Sequence, residues 1–148
     1  MKHNMPAIDP AVPQVMAILN VTPDSFYAGS RTPDGDAVAR RVREALDEGA
    51  SIIDVGGYSS RPGADEVSPD EEWRRVRLGL AAVRQADPDV AVSVDTFRSG
   101  VVRRAVAEFG PVIVNDISAG ELDPDMLRAV AELDLTYIAM HMKGDPKT

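Results

Sequence analysis

The 148 residues contain no cysteine. That absence excludes disulfides, thiolate zinc sites and cysteine nucleophiles; it leaves the compartment open, although small secreted domains more often carry disulfides. Histidine is scarce, with two in the whole chain, and His141 has no second histidine nearby with which to share a transition metal. Positive charge is in deficit: 16 Lys+Arg against 24 Asp+Glu leave −8, with a pI near 4.7. Such a field repels polyanions, so nucleic acid is not an expected partner. Long apolar runs are missing as well. Blocks such as Val15–Leu19 have five residues, whereas a membrane helix needs ~18, so no membrane partner is expected. Met1-Lys2-His3-Asn4 leads into Pro6, Asp9, Pro10 and Pro13 rather than an apolar signal core, which points to a cytoplasmic location. Neither G-x-G-x-x-G nor a Walker lysine motif occurs.

What is present is the composition of a globular chain, 44% hydrophobic and 27% charged, with length for one core. Residues 1–14 read as an N-terminal extension and 15–148 as part of a single domain. Apolar runs recur at Val15–Leu19, Ser51–Val55, Val90–Val94, Val112–Val114 and Thr136–Met140. Helical stretches separate them. In the first, Val38, Val42, Ala45 and Leu46 share a face and Gly49 stops it. The second opens with Ser68 as cap, Pro69 at the first helical position and Glu71 closing a capping box, and carries Trp73, Val76, Leu80 and Val83 as its stripe. The third carries Val102, Ala105, Val106 and Phe109 and ends at Gly110. The fourth is expected from Asp123-Pro124 through Leu127, Val130 and Leu133. Strand–helix alternation with Val/Ile-rich strands predicts a parallel sheet covered on both faces.

An open doubly wound sheet and an eight-fold barrel both use such units. The sequence favours the barrel, because five successive strands end at or near a hydrogen-bonding side chain: Asn20, Asp54, Asp95, Asn115 and His141. A (β/α)₈ TIM barrel builds its site on that ring of strand ends. Such barrels typically need ~250 residues, so the chain is expected to supply about the first four βα units and strand five. Alone, it would expose a sheet edge and much of its apolar interior.

Asn20, Asp95 and Asn115 together suit a flat heterocycle edged with donors and acceptors, since Asp accepts and Asn does both. Each taken singly is as well explained as a cap or turn former. Gly56-Gly57-Tyr58-Ser59-Ser60-Arg61-Pro62-Gly63 is a loop with hydroxyls and a guanidinium, fitted to close over an anion or simply to link strand two to helix two. Asp54 follows Ile52-Ile53 and reads as a buried orienter of Arg61 or another loop group. His141 reads as a proton carrier or a packing residue. If a metal is used, an oxygen ligand such as Asn20 points to Mg²⁺ held partly by substrate phosphate. The acidic runs Asp70-Glu71-Glu72 and Asp123/Asp125 stand at helix starts, where the macrodipole accounts for them.

With these residues in view, the chain resembles the dihydropteroate synthase family. The match runs through Met16-Ala17-Ile18-Leu19-Asn20-Val21-Thr22-Pro23-Asp24-Ser25-Phe26, Ile52-Ile53-Asp54-Val55-Gly56-Gly57 with Ser59-Ser60-Arg61-Pro62-Gly63, Ser93-Val94-Asp95-Thr96, Asn115-Asp116-Ile117 and Met140-His141-Met142-Lys143-Gly144-Asp145-Pro146-Lys147-Thr148. The resemblance implies a TIM-barrel transferase of folate biosynthesis and a sulfonamide target, homodimeric when its barrel is complete. It would join 6-hydroxymethyl-7,8-dihydropterin pyrophosphate to 4-aminobenzoate, releasing 7,8-dihydropteroate and pyrophosphate. Carried over, Asn20 is the Mg²⁺ ligand, Asp95 and Asn115 hold the pterin, and Ser60 with the catalytic Arg61 lies near pyrophosphate and aminobenzoate. Ser60 replaces the commoner threonine but keeps its hydroxyl, and Tyr58 stands where Glu or Gln is frequent. Two alternatives are a pterin-binding methyltetrahydrofolate methyltransferase and a non-catalytic pterin-binding module.

Overall fold

The computed structural model describes residues 14–22, 35–58 and 67–139. Ser60, Arg61 and His141 lie outside the described residues, as do most of the leading extension and the end of the expected fifth strand. Strands β1 (Met16–Asn20), β2 (Ile52–Gly56), β3 (Ala91–Asp95), β4 (Ile113–Asp116) and β5 (Tyr137–Ala139) alternate with helices α1 (Gly35–Asp47), α2 (Pro69–Ala86), α3 (Ser99–Phe109) and α4 (Met126–Glu132). Every neighbouring strand pair is parallel, and the sheet order is β1-β2-β3-β4-β5. A doubly wound sheet reverses its strand order at a switch point. Here each strand adds on the same side, which is the progression of a (β/α)₈ barrel.

The core shows which face the helices take. Leu19, Val21, Ile53, Val55, Val92 and Val94 bury against Val38, Val42, Val76, Leu80, Val83, Val101 and Ala105. These strand residues alternate with Asn20, Asp54, Ser93 and Asp95, so the period of two sends the polar set to the opposite face. The expectation of full cover on both faces is met only in part: Ile52 and Ile113 are buried, but Ile18 is 59% exposed.

Most helix signals act as read. Ser68 Oγ accepts from Glu71 N at 3.2 Å with Pro69 at the start of α2, and Gly110 ends α3 at φ +86°. The fourth helix differs. It begins at Met126, and Met126 and Ala129 are its buried residues while Leu127 is exposed. Asp123 serves two helix starts: Oδ1 accepts from Asp125 N at 2.9 Å just before α4, and Oδ2 accepts from Ser99 N at 2.7 Å, capping α3 from a neighbouring loop. One of its oxygens is thereby spent on tertiary structure.

Gly79 lets α2 lie close on the sheet, since a Cβ there would stand 2.6 Å from Val55 Cγ1 and 3.1 Å from Val21 Cγ2. Alanine is the better helix former, yet Gly79→Ala is expected to lower stability by about 1–3 kcal/mol through overpacking. Urea unfolding of the native protein checks this; an unchanged or raised midpoint would refute the packing argument.

Candidate functional site

Strand register assembles the site. Asn20 pairs with Gly56, Gly56 with Asp95, Asp95 with Asn115 and Asn115 with Ile138, so these residues form one lateral row at the C-terminal ends of the strands. The row beneath it holds Ile18, Asp54, Ser93 and Ile113. The polar residues of this row, up to 95 positions apart in sequence from Asn20 to Asn115, thus share one surface, on the face away from the helices.

Gly56 is what lets the row close up. A Cβ on it would meet Asn20 Oδ1 at 3.0 Å and Asp95 Cβ at 3.5 Å. Asn20, Asp95 and Asn115 are each only partly buried. Among the described residues, the Asn20 and Asp95 side chains form no hydrogen bond, and Asn115 forms one, from Nδ2 to Asp54 Oδ2 at 3.4 Å. Among the described residues, nothing else engages their polar ends. Asp54 is 3% exposed, and its other oxygen accepts from Ser93 Oγ at 2.5 Å. The expected orienter therefore grips Ser93 and Asn115 within the sheet.

The charge at the row is acidic. Burial, with Asp54, Glu72 and Asp116 nearby, lifts the Asp95 carboxyl from the ordinary carboxylate range to about 7. Burial also pushes Asp54 up, and its hydrogen bonds from Ser93 and Asn115 act the other way. A group that titrates near neutrality at an open strand end is suited to binding donors or a cation.

Three supports were not read from the sequence. Glu72, assigned to the helix dipole, is instead fully buried and paired with Arg98 at 2.9 Å. Burial raises its pKa, while Thr96 and Arg98 lower it. The signal was its place four residues before Val76, on the buried side of α2. Gly57 sits directly on this pair's helix, where a Cβ would stand 2.8 Å from the Glu72 carbonyl oxygen. Arg75 Nη1 donates to the Gly57 carbonyl at 3.1 Å, and Tyr58 meets Phe97 edge to face at 5.7 Å. The Arg98 guanidinium carbon lies 4.9 Å from the centre of the Phe97 ring. Asp116, on the helix side of β4, accepts from Ser118 N and Oγ, Gly120 N and the Tyr137 hydroxyl at 2.7–3.0 Å, organising the turn beyond Asn115.

A parallel sheet built in sequential order, with polar strand ends clustered on the face away from its helices, defines a barrel-type small-molecule site. The chain belongs to the pterin binding enzyme family, which matches residues 16–148. Dihydropteroate synthase of Haemophilus influenzae is 43% identical over 145 residues, covering 98% of this chain and 52% of its own length. The mitochondrial folate synthesis bifunctional protein of Arabidopsis thaliana is 48% identical over 136 residues, covering 90% of this chain and 24% of its own. A solved structure of Xanthomonas albilineans dihydropteroate synthase with 4-aminobenzoic acid superposes with a TM-score of 0.78 at 43% identity, covering 90% of this chain and 48% of that one. The chain thus spans about half the length of the Haemophilus relative and a quarter of the Arabidopsis one. Among the described residues, no helix is long and apolar enough to cross a membrane.

Proposed function

We propose that the chain forms the pterin side of a dihydropteroate synthase, which condenses 6-hydroxymethyl-7,8-dihydropterin pyrophosphate with 4-aminobenzoate. The observation that carries this reading is the row Asn20–Gly56–Asp95–Asn115 at the strand ends, where, among the described residues, Asn20 and Asp95 form no side-chain hydrogen bond and Asn115 forms one. Asp95 and Asn115 hold the flat ring by its hydrogen-bonding edge and fix its angle to the incoming arylamine, so that binding supplies much of the catalysis by orientation. Ser60 and Arg61 follow Tyr58 closely in sequence and supply hydroxyl and guanidinium to the anionic groups. Arg61 offsets charge developing on pyrophosphate as it leaves. No strong general base is needed, in keeping with a row of amide and carboxylate groups.

Asn20 is the residue that would hold Mg²⁺. Among the described residues there is no cluster of three His, Asp or Glu to cage a metal. One amide oxygen suits Mg²⁺, which commonly takes one or two protein oxygens and completes its shell with water and phosphate. When bound, the ion would supply positive charge to the pyrophosphate. The family resemblance supports a cytoplasmic, homodimeric enzyme as the setting.

The test is turnover by the native protein, read as pyrophosphate release that depends on both substrates; a protein that binds neither would refute the reading. Asn20→Ala is expected to weaken Mg²⁺-dependent binding of the pterin pyrophosphate far more than binding of unphosphorylated pterin, as calorimetry with and without Mg²⁺ would show. Equal losses would remove its metal role.

A further inference from the structure

We propose that Asp54 is a positioning residue that fixes the orientation of the Asn115 side-chain amide, so that the Asn115 carbonyl oxygen is presented beside Asp95 to N–H donors of the ligand. The inference rests on the reading of this row as the pterin site and adds to it the rule by which the ring's edge is selected.

Asp54 and Ser93 are 3% and 0% exposed, so the carboxylate must find its donors within the protein. Ser93 Oγ serves Oδ1 at 2.5 Å. Oδ2 is served by Asn115 Nδ2 at 3.4 Å. An amide has one donating end and one accepting end, and an ionised carboxylate only accepts. Asn115 therefore has to turn its NH₂ inward to Asp54, which leaves its carbonyl oxygen toward the ligand row. Register places Asp95 directly alongside. Two neighbouring acceptors select a heterocycle edge with two neighbouring donors. An edge offering an acceptor opposite the Asn115 oxygen would meet oxygen with oxygen there, leaving only the second N–H of the same amide to serve it. Asp54 itself lies one row below, and its role passes through Asn115.

The test uses the native protein and unphosphorylated 6-hydroxymethylpterin, whose binding does not involve pyrophosphate. Asp54→Asn keeps the shape but puts an amide at the inner position. Ser93 can still donate to its oxygen, so its NH₂ faces Asn115 and turns that amide around. Calorimetry is expected to show an affinity loss of about tenfold or more, the scale of one misdirected hydrogen bond, with the melting temperature held. Adding Asn115→Asp to Asp54→Asn gives the inner amide a carboxylate to donate to and again presents oxygen to the ligand. The double variant is expected to recover most of the loss. Asn115→Asp alone sets two carboxylates against each other and is expected to lose affinity by a similar factor. The ¹⁵N-labelled side-chain amide of Asn115, assigned by its disappearance in Asn115→Asp, is expected to shift in Asp54→Asn without any ligand.

Native affinity in Asp54→Asn, a folded double variant as weak as that single, native affinity in Asn115→Asp, or an unmoved Asn115 amide signal would each overturn the proposal. Should Asp54→Asn fail to fold, the Asn115→Asp arm still decides. If the unsubstituted protein does not bind the pterin, the pterin reading falls, and the amide signal separately decides whether Asp54 orients Asn115.

Discussion

Asp95→Ala is expected to weaken binding of both pterin pyrophosphate and unphosphorylated pterin to the native protein by about 1–3 kcal/mol, the cost of stranding a buried ligand donor. Asp95 is the group that combines partial burial, no hydrogen bond among the described residues and a carboxyl poised near neutrality. The pH dependence follows from the direction of that shift. The folded chain holds this proton more tightly than the unfolded chain, so its contribution to stability is present at low pH and is lost as pH rises from the ordinary carboxylate range through about 7. Ligand donors call for the ionised form, so pterin affinity is expected to rise with pH through the same window. Asp95→Asn should flatten that rise. Calorimetry at several pH values checks both, and unchanged affinity in Asp95→Ala would place this residue outside the pocket.

Arg98→Ala is expected to cost about 3–5 kcal/mol of stability near pH 8, because it leaves a buried carboxylate without its partner. Glu72 is fully buried, one of its oxygens bonds Arg98 Nη1 at 2.9 Å, and the other has no hydrogen-bond partner among the described residues. Burial already raises the Glu72 pKa with Arg98 present. Removing the cation raises it further, so the deficit of Arg98→Ala should shrink as pH falls and Glu72 takes up a proton. Adding Glu72→Gln to Arg98→Ala should recover part of the loss at pH 8. Urea unfolding across pH measures the pattern. A pH-independent deficit would mean that lost packing on Phe97, and not the stranded charge, is responsible. The pair also connects α2 to the segment just after Asp95, while Tyr58 on Phe97 ties the start of the next loop to the same place. Destabilisation here is therefore expected to reach the binding row.

Local chemistry made much of the fold legible. Ser68-Pro69-Asp70-Glu71 specifies a helix start because its cap, its proline and its acidic first turn act within four residues. The Val-rich strands and the stripe at 73, 76, 80 and 83 followed from period alone, and so did the polar strand ends at Asn20, Asp95 and Asn115. What period could not reveal was the use to which individual polar groups are put. Glu72 and Asp123 carry the same local signature as ordinary helix-start acids. Whether such an acid faces water, a buried arginine or another helix's amide depends on elements 24–26 residues away. Leu127 and Met126 are adjacent and equally apolar, yet Met126 is buried and Leu127 exposed, a choice made by packing and not by residue type.

The sequence by itself determined the order of strands and helices and the residues at the strand ends, since these depend on side-chain type, period and chain order. The tertiary structure alone decided the register that sets Asn20, Gly56, Asp95 and Asn115 in one row, the closeness that Gly56 permits, and the grip of Asp54 on Ser93 and Asn115. A shift of one residue in any strand would send its polar set to the helix face without changing a single local preference. Pairing across the sheet, with apolar burial on one face, removes that freedom.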